Sequence, residues 1–531
     1  MDVPLSTWLL FSGAGRHHHR SEVVTRLPSG ELHRYNLGAF SGRAQQLMGA
    51  MGTLGIGPGE RVATLAWNTF RHLEAYFGVP CAGRVLHTLN VRLAAEELAF
   101  VMNDADDRAV LVDPDFLPLL EQVAPQVPGL RHVVVLDQTT AATSLPGAVA
   151  YEELLAAEDP HYGQPLIDER SPCGLCYTSG TTGRPKGVSF THRSIYLHAL
   201  AASSAAGMAV GPGDCVLPQV PMFHANAWGM PHAAVGVGAK LVFYAGALEA
   251  RPFADLLVDE RVTVAAGVPT VWFTLHDELA GRTGRPLSLR HIVCGGSQPP
   301  RPLIERYASD LRVPIIQAWG MTETSPLASL AWPQERMRDW DADEVTTAAR
   351  TQAGLPLPGV EVSIRDDSGA EVAFDGTTLG ALHVRGPWVV DGYLHGHGAD
   401  SFTADGWFNT GDIAIGSPDG YFVIADRDKD LIKSGGEWIS SVDMEATIMA
   451  MPEVAEAAVV AVPDPKWVER PLACVVANND AVITAEDVRA HLEQRGFARW
   501  QLPTRIEVID EIPKTAVGKF DKKVLRTRFP E

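Results

Sequence analysis

Short apolar runs alternate along the chain with stretches in which apolar positions recur every three or four residues. RVATLAW (61–67), RAVLVD (108–113), HVVVLD (132–137), KLVFYAG (240–246) and RHIVCGG (290–296) read as strands, while HLEAYFGV (72–79) and THRSIYLHALAA (191–202) carry helical spacing. Strand and helix in alternation over the first 300 or so residues predict parallel α/β sheets. From about Val360 the texture changes. VEVSIRDDSG, ALHVRG and GYFVIADR alternate with turn residues, predicting an antiparallel or β-barrel-like portion. After Asp426 the alternation of helix and strand resumes in MEATIMAMPEV, AEAAVVAVPD, LACVVANN, AEDVRAHLEQRG and RIEVIDEIP, enough for a compact final domain. The expected division is therefore 1–426 and 427–531. QTTAATSLPGAVA (138–150) reads as a polar loop and MRDWDADEV (337–345) as a charged helical excursion. The basic residues Lys522, Lys523, Arg526 and Arg528 read as a solvated tail helix.

At 531 residues the chain exceeds what one hydrophobic core organises, and 46% apolar with 20% charged residues is the composition of an ordered globular protein. A formal charge of -20 argues against general nucleic-acid binding, which rests on basic surface. The N-terminus lacks the charged start and longer apolar core of a signal peptide, so the expected location is cytoplasmic. The uncharged run Cys215–Ala239 is broken by prolines, Gln219, His224, Asn226 and His232 and reads as buried protein rather than membrane. Cys173 and Cys176 form an isolated CxxC without the second ligand pair of a zinc site and read as core thiols. His17, His18 and His19 read as a solvated turn.

YTSGTTGRPKGV (177–188) has the makings of a phosphate loop, with glycines for close backbone approach, hydroxyls and amides as donors, and one cation, Lys186. It is not a Walker loop, because Arg184 and Pro185 separate the second glycine from the lysine. GIGPGE fails as a dinucleotide fingerprint at Glu60, and GGSQP fails as a nucleophile elbow at Pro299. The loop suits a polyphosphate.

Taken with QAWGMTET (317–324), WFNTGD (407–412), DRDKDLIKSGGE (426–437) and PKTAVGK (513–519), the loop makes the chain resemble the adenylate-forming superfamily of acyl-CoA synthetases, peptide-synthetase adenylation domains and luciferases. VPMFHANAW, AGVPTVW and LIKSGGEWISS resemble the medium- and long-chain fatty acyl-CoA synthetases most. The resemblance implies a two-step reaction: a carboxylate attacks the α-phosphate of ATP to give acyl-AMP, and the thiol of CoA then displaces AMP. It implies ATP, Mg2+ and CoA as the small molecules, a hydrophobic carboxylic acid as substrate, and a homodimer.

Residue by residue, the resemblance assigns Thr178, Ser179, Gly180, Thr181, Thr182, Gly183 and Lys186 to the β- and γ-phosphates. Glu323 becomes the Mg2+ ligand, with Thr178 beside it, and Thr322 a contact to the α-phosphate. Gly295, Gly296, Ser297, Gln317, Ala318, Trp319, Gly320 and Met321 line the adenine pocket, where Trp319 stands in place of the tyrosine of many relatives. Asp412 takes the ribose hydroxyls, with Arg427 alongside. Lys519 is the adenylation lysine on a mobile C-terminal domain that turns about a hinge near Lys429. Gly435 and Gly436 then admit the pantetheine arm, and Trp438 lies near the adenine. Lys433 matches a lysine that some relatives use in the second half-reaction and reads equally well as a strand-end lysine. His224 lies near the acyl carboxylate and Trp228 gates the acyl tunnel. Two alternatives stay open: an acyl-AMP ligase or partner-dependent enzyme performing one half-reaction, and a bulky secondary-metabolite acid as substrate.

Overall fold

The computed structural model describes residues 2–140, 143–178, 184–282, 287–427, 430–434, 437–478, 481–514 and 520–530, with backbone alone at Glu437 and Trp438. The apolar runs form two large sheets. In the seven-stranded one the order is Val149–Ala150, His132–Val135, Asp107–Val112, Arg61–Leu65, Val85–Thr88, Pro172–Thr178 and Lys186–Thr191. All neighbours are parallel except the last pair, which is antiparallel and joined by the glycine-rich loop. The nine-stranded sheet has a parallel centre running Ile315–Gly320, His291–Cys294, Val264–Gly267, Cys215–Pro218, Lys240–Tyr244 and Glu22–Arg26, with antiparallel strands at both edges.

Alternate residues of these strands enter different cores, because side chains change face at each step. Val62, Leu86, Leu111 and Val134 of one sheet and Leu241, Val264, Val293 and Ile316 of the other share the central core. The helices Leu37–Thr53, Phe70–Cys81 and Met230–Val237 fill the space between them. Their neighbours Ala63, Leu65, Val110 and Val112 pack outward under Ala95–Ala105. Val242, Ala265 and Ile292 pack under Ala250–Asp259, Pro269–Ala280 and Arg301–Asp310. Burial on both faces is why these strands read as continuous apolar runs. The uncharged run 215–239 is divided into a strand, an irregular turn and the helix Met230–Val237; no described helix is long and apolar enough to cross a membrane.

The segment from Val360 is a four-stranded antiparallel meander, Glu361–Arg365, Leu379–Arg385, Phe408–Gly416 and Phe422–Arg427, paired in chain order. A five-stranded sheet over 432–508 follows. One of its faces has a core built on Ile432, Met444, Val459, Val475 and Leu492; the other is covered by Leu525 of the last helix, Lys522–Arg528.

That last helix corrects the solvated reading for Lys522 and Arg526, while Lys523 and Arg528 are exposed as expected. The Lys522 side chain is only 13% exposed and lies 2.8 Å from Glu445, and Arg526 pairs with Asp430. A lysine and an arginine with carboxylate partners across a packed interface look identical in sequence to a solvated basic face.

Candidate active site

The glycine-rich loop leaves the first sheet at Thr178 and returns at Lys186, which are opposite each other in the terminal antiparallel pair. Ser179, Gly180, Thr181, Thr182 and Gly183 lie outside the described residues. The returning strand runs into the helix His192–Ser203, started by a reciprocal cap in which Thr191 accepts from Ser194 N–H and the Ser194 hydroxyl accepts from Thr191 N–H.

Across from it, the motif GMTETS leaves the strand Ile315–Gly320 in a tight turn. Gly320 is obligatory there, since a β-carbon would sit 1.9 Å from the Pro326 carbonyl oxygen. Met321 N–H donates both to that carbonyl and to the Thr324 hydroxyl, each at 3.0 Å, and Ser325 takes a left-handed conformation at φ 66°. The turn presents Glu323, 5% exposed, towards the loop 386–394. There the Val390 N–H bonds the Glu323 carbonyl at 2.9 Å, and the Tyr393 hydroxyl donates to Glu323 Oε1 at 2.7 Å. Trp388 secures this loop by donating its indole N–H to the Leu327 carbonyl at 3.1 Å and accepting from the Ser325 hydroxyl.

Tyr393 is also the link to the glycine-rich loop, because the Lys186 ammonium lies 5.0 Å from the centre of its ring. One aromatic residue thus joins the two charged groups that the sequence motifs single out. Burial and the neighbouring Glu323 charge raise the phenol pKa, so Tyr393 stays a donor. The motif comparison missed Tyr393, whose surroundings, DGYLHG, carry no charge pattern to mark it.

A second group forms where the meander meets the large sheet. Asp412 and Arg427 are opposite each other on adjacent strands, with Arg427 Nε 2.8 Å from Asp412 Oδ1. The Trp319 indole N–H reaches Asp412 Oδ2 at 3.3 Å, and its ring stands edge-on to Phe422. Arg427 also bonds the Thr410 carbonyl at 3.1 Å. Asp412, 3% exposed, is thus held as an acceptor by Arg427 and Trp319.

Gly295 and Gly296 follow the strand His291–Cys294, with Gln317 and Ala318 on its neighbour. A β-carbon on Gly295 would be 2.5 Å from the Ala318 carbonyl oxygen, and Gly296 has φ +81°. The Trp228 indole rests on this step, 3.2 Å from that added carbon on Gly295. Trp228 arrives there on an unusual backbone: Ala225, Asn226, Ala227, Trp228 and Gly229 all have positive φ, between 45° and 74°. Such residues cost about 1–2 kcal/mol each for non-glycine types, so this turn persists only because it is buried on all sides. His224 begins it and is partly exposed. Ser297 follows Gly296, and Gln317 Oε1 is buried without a hydrogen-bond partner.

Lys433 is exposed on the strand Ile432–Ser434 and pairs in register with Trp438. Gly435, Gly436, Lys429 and Lys519 lie outside the described residues. The structure thus brings Lys186, Glu323 and Tyr393 together, with Thr178 opposite Lys186 on the adjacent strand, and Trp319, Asp412 and Arg427 together, with Trp228 against Gly295 and Gly296.

Residues 11–394 match the AMP-binding enzyme family and residues 443–519 its C-terminal domain. The chain is similar to a long-chain-fatty-acid–CoA ligase of Thermus thermophilus, 46% identical over 100% of this chain and 96% of that protein. A medium-chain-fatty-acid–CoA ligase of Ectopseudomonas oleovorans is 40% identical over 98% and 95%. In fold it matches a solved anthranilate CoA ligase in complex with anthranoyl-AMP, with TM-score 0.86 and 24% identity over 99% of this chain and 98% of that one. On these matches, which span nearly its whole length, the chain belongs to the AMP-binding enzyme family.

Proposed function

We propose that the chain is an AMP-forming acid–CoA ligase that activates a hydrophobic carboxylic acid with ATP and Mg2+ and passes the acyl group to CoA. The observation that carries the reading is the meeting of Lys186 and Glu323 at Tyr393, 137 positions apart in sequence. A cation and a buried carboxylate that share one tyrosine suit a polyphosphate with its counter-ion. Glu323 Oε2 and the Thr178 hydroxyl are hard oxygen donors of the kind Mg2+ prefers. Bound there, Mg2+ neutralises phosphate oxygens and orients them.

The residue roles are those that the family resemblance assigns. The Trp319 face and the glycine step at 295–297 receive adenine, and Asp412 takes the ribose hydroxyls. Lys186, Thr178 and residues 179–183 hold the pyrophosphate that leaves, while Thr322 contacts the α-phosphate. His224 and Trp228 border the carboxylate of the acid. Lys519 supplies positive charge to the oxygens of the α-phosphate and the attacking carboxylate as adenylation proceeds. Residues 1–426 form the binding domain, and 427–531 a domain that turns near Lys429, bringing Gly435, Gly436, Lys433 and Trp438 to the CoA step. A cytoplasmic homodimer fits this reading, and the dimer is checked by sedimentation of the purified chain.

The test is a pyrophosphate-release screen over fatty, aryl and terpenoid acids with a thioester readout. Pyrophosphate release together with CoA-dependent thioester formation is expected for a hydrophobic acid. Transfer to a holo carrier protein and not to CoA would sink the ligase reading.

A further inference from the structure

The last helix is tied to the strand that carries Arg427 by a buried polar chain. Asp426, 1% exposed, precedes Arg427 in that strand and accepts from the Ser441 N–H at 2.7 Å and the Ser441 hydroxyl at 2.6 Å. The Lys522 ammonium lies 2.5 Å from the same hydroxyl and 2.8 Å from Glu445 Oε1, an oxygen that also accepts from Val459 N–H at 2.7 Å. One turn further along, Arg526 reaches Asp430. Burial acts to lower the Lys522 pKa, but the charges of Glu445 and Asp426 outweigh it and hold the value above that of an ordinary lysine. The chain Asp412–Arg427–Asp426–Ser441–Lys522 therefore runs without a break from the nucleotide side of the candidate site to the start of the last helix.

The described residues on either side of 515–519 are also tied together. Lys514 and Phe520 form a bridge, Asp521 N–H bonds the Pro513 carbonyl at 2.7 Å, and the Asp521 carboxylate caps the helix. Lys519 precedes Lys522 by three positions.

We propose that Lys522 is a positioning residue for adenylation, fixing the segment that bears Lys519 relative to the Asp412–Arg427 pair. The proposal rests on the ligase reading above. A lysine needed only for folding of the last sheet would affect both half-reactions alike. One that sets the reach of Lys519 affects the first alone.

The test uses the full chain with Lys522→Arg, Lys522→Met, and Lys522→Met combined with Glu445→Gln. The combined variant keeps an acceptor for Val459 and removes the Glu445 charge together with the lysine, while Asp426 keeps its bonds from Ser441 and the Arg427 N–H, so it stays folded if Lys522→Met alone does not. Circular dichroism and thermal melting identify the folded variants. Expected is a fall of about 100-fold in pyrophosphate release, the scale of a misplacement of about 1 Å, seen in kcat rather than in KM for ATP. Transfer from supplied acyl-AMP to CoA stays within about twofold, and Lys522→Arg keeps adenylation within about tenfold of native. A folded combined variant that releases pyrophosphate at the native rate, or that loses both half-reactions equally, overturns the proposal. Native protein that adenylates but makes no thioester refutes the ligase reading instead and leaves the adenylation comparison intact.

Discussion

Arg427 holds one oxygen of Asp412 at 2.8 Å while the Trp319 indole holds the other at 3.3 Å, so a buried carboxylate is fixed in one rotamer at the edge of the site. Asp412→Asn removes the charge on which both donors and the proposed ribose contacts depend. Charge-assisted hydrogen bonds contribute about 1.5–3 kcal/mol, so KM for ATP is expected to rise about ten- to a hundredfold. Nucleotide titration of the pyrophosphate-release rate checks this, and an unchanged KM rejects the ribose role.

Tyr393→Phe removes the hydroxyl that orients Glu323 yet leaves the ring under Lys186. Adenylation is expected to fall about tenfold, the loss of one hydrogen bond to a charged group, with a raised Mg2+ requirement. Glu323→Gln is expected to fall further. A Tyr393→Phe enzyme with native Mg2+ dependence would show that the hydroxyl has only a packing role.

Trp228→Ala empties the space beside Gly295 and Gly296. Loss of a large buried ring costs about 3–5 kcal/mol of stability, and the left-handed backbone at 228 is as strained with alanine as with tryptophan. Relative kcat/KM is expected to shift towards bulkier acids across the substrate screen. If the rank order of acids is preserved, Trp228 does not border the acyl path.

Lys519→Ala is expected to lower adenylation by two orders of magnitude or more, about the contribution of one preorganised charge stabiliser, with little change in CoA transfer from supplied acyl-AMP. Equal loss in both steps refutes its assigned role.

Stability is expected to fall as pH drops below about 6.5. Burial lowers the pKa of His72 and His192 to about 4 and of His198 and His232 to about 3, so the unfolded chain binds protons at these sites that the folded chain does not. Each contributes up to about 1.4 kcal/mol per pH unit between its folded value and 6.5. Asp113 acts in the opposite direction, since burial raises its folded value to about 7 and favours the protonated fold. His232→Gln is predicted to flatten the curve by one such increment, measured as denaturant midpoints from pH 7 to 5. An unaltered slope counts against a neutral buried His232.

What the sequence determined here is whatever repeats at short range. Continuous apolar runs placed the parallel sheets, whose strands are buried on both faces, and near-four-residue spacing placed the helices between them. Contiguous motifs located the glycine-rich loop, the GMTET turn and Asp412, since each needs specific residues within a few positions for its own backbone geometry. Only the tertiary structure decided which of these meet. Tyr393 joins Lys186 to Glu323 through a loop with no motif of its own, the left-handed turn 225–229 rests Trp228 on two glycines, and Lys522 is buried in ion pairs rather than solvated. Each depends on partners tens to hundreds of residues away, where local propensity carries no information and burial decides between a solvated charge and a paired one.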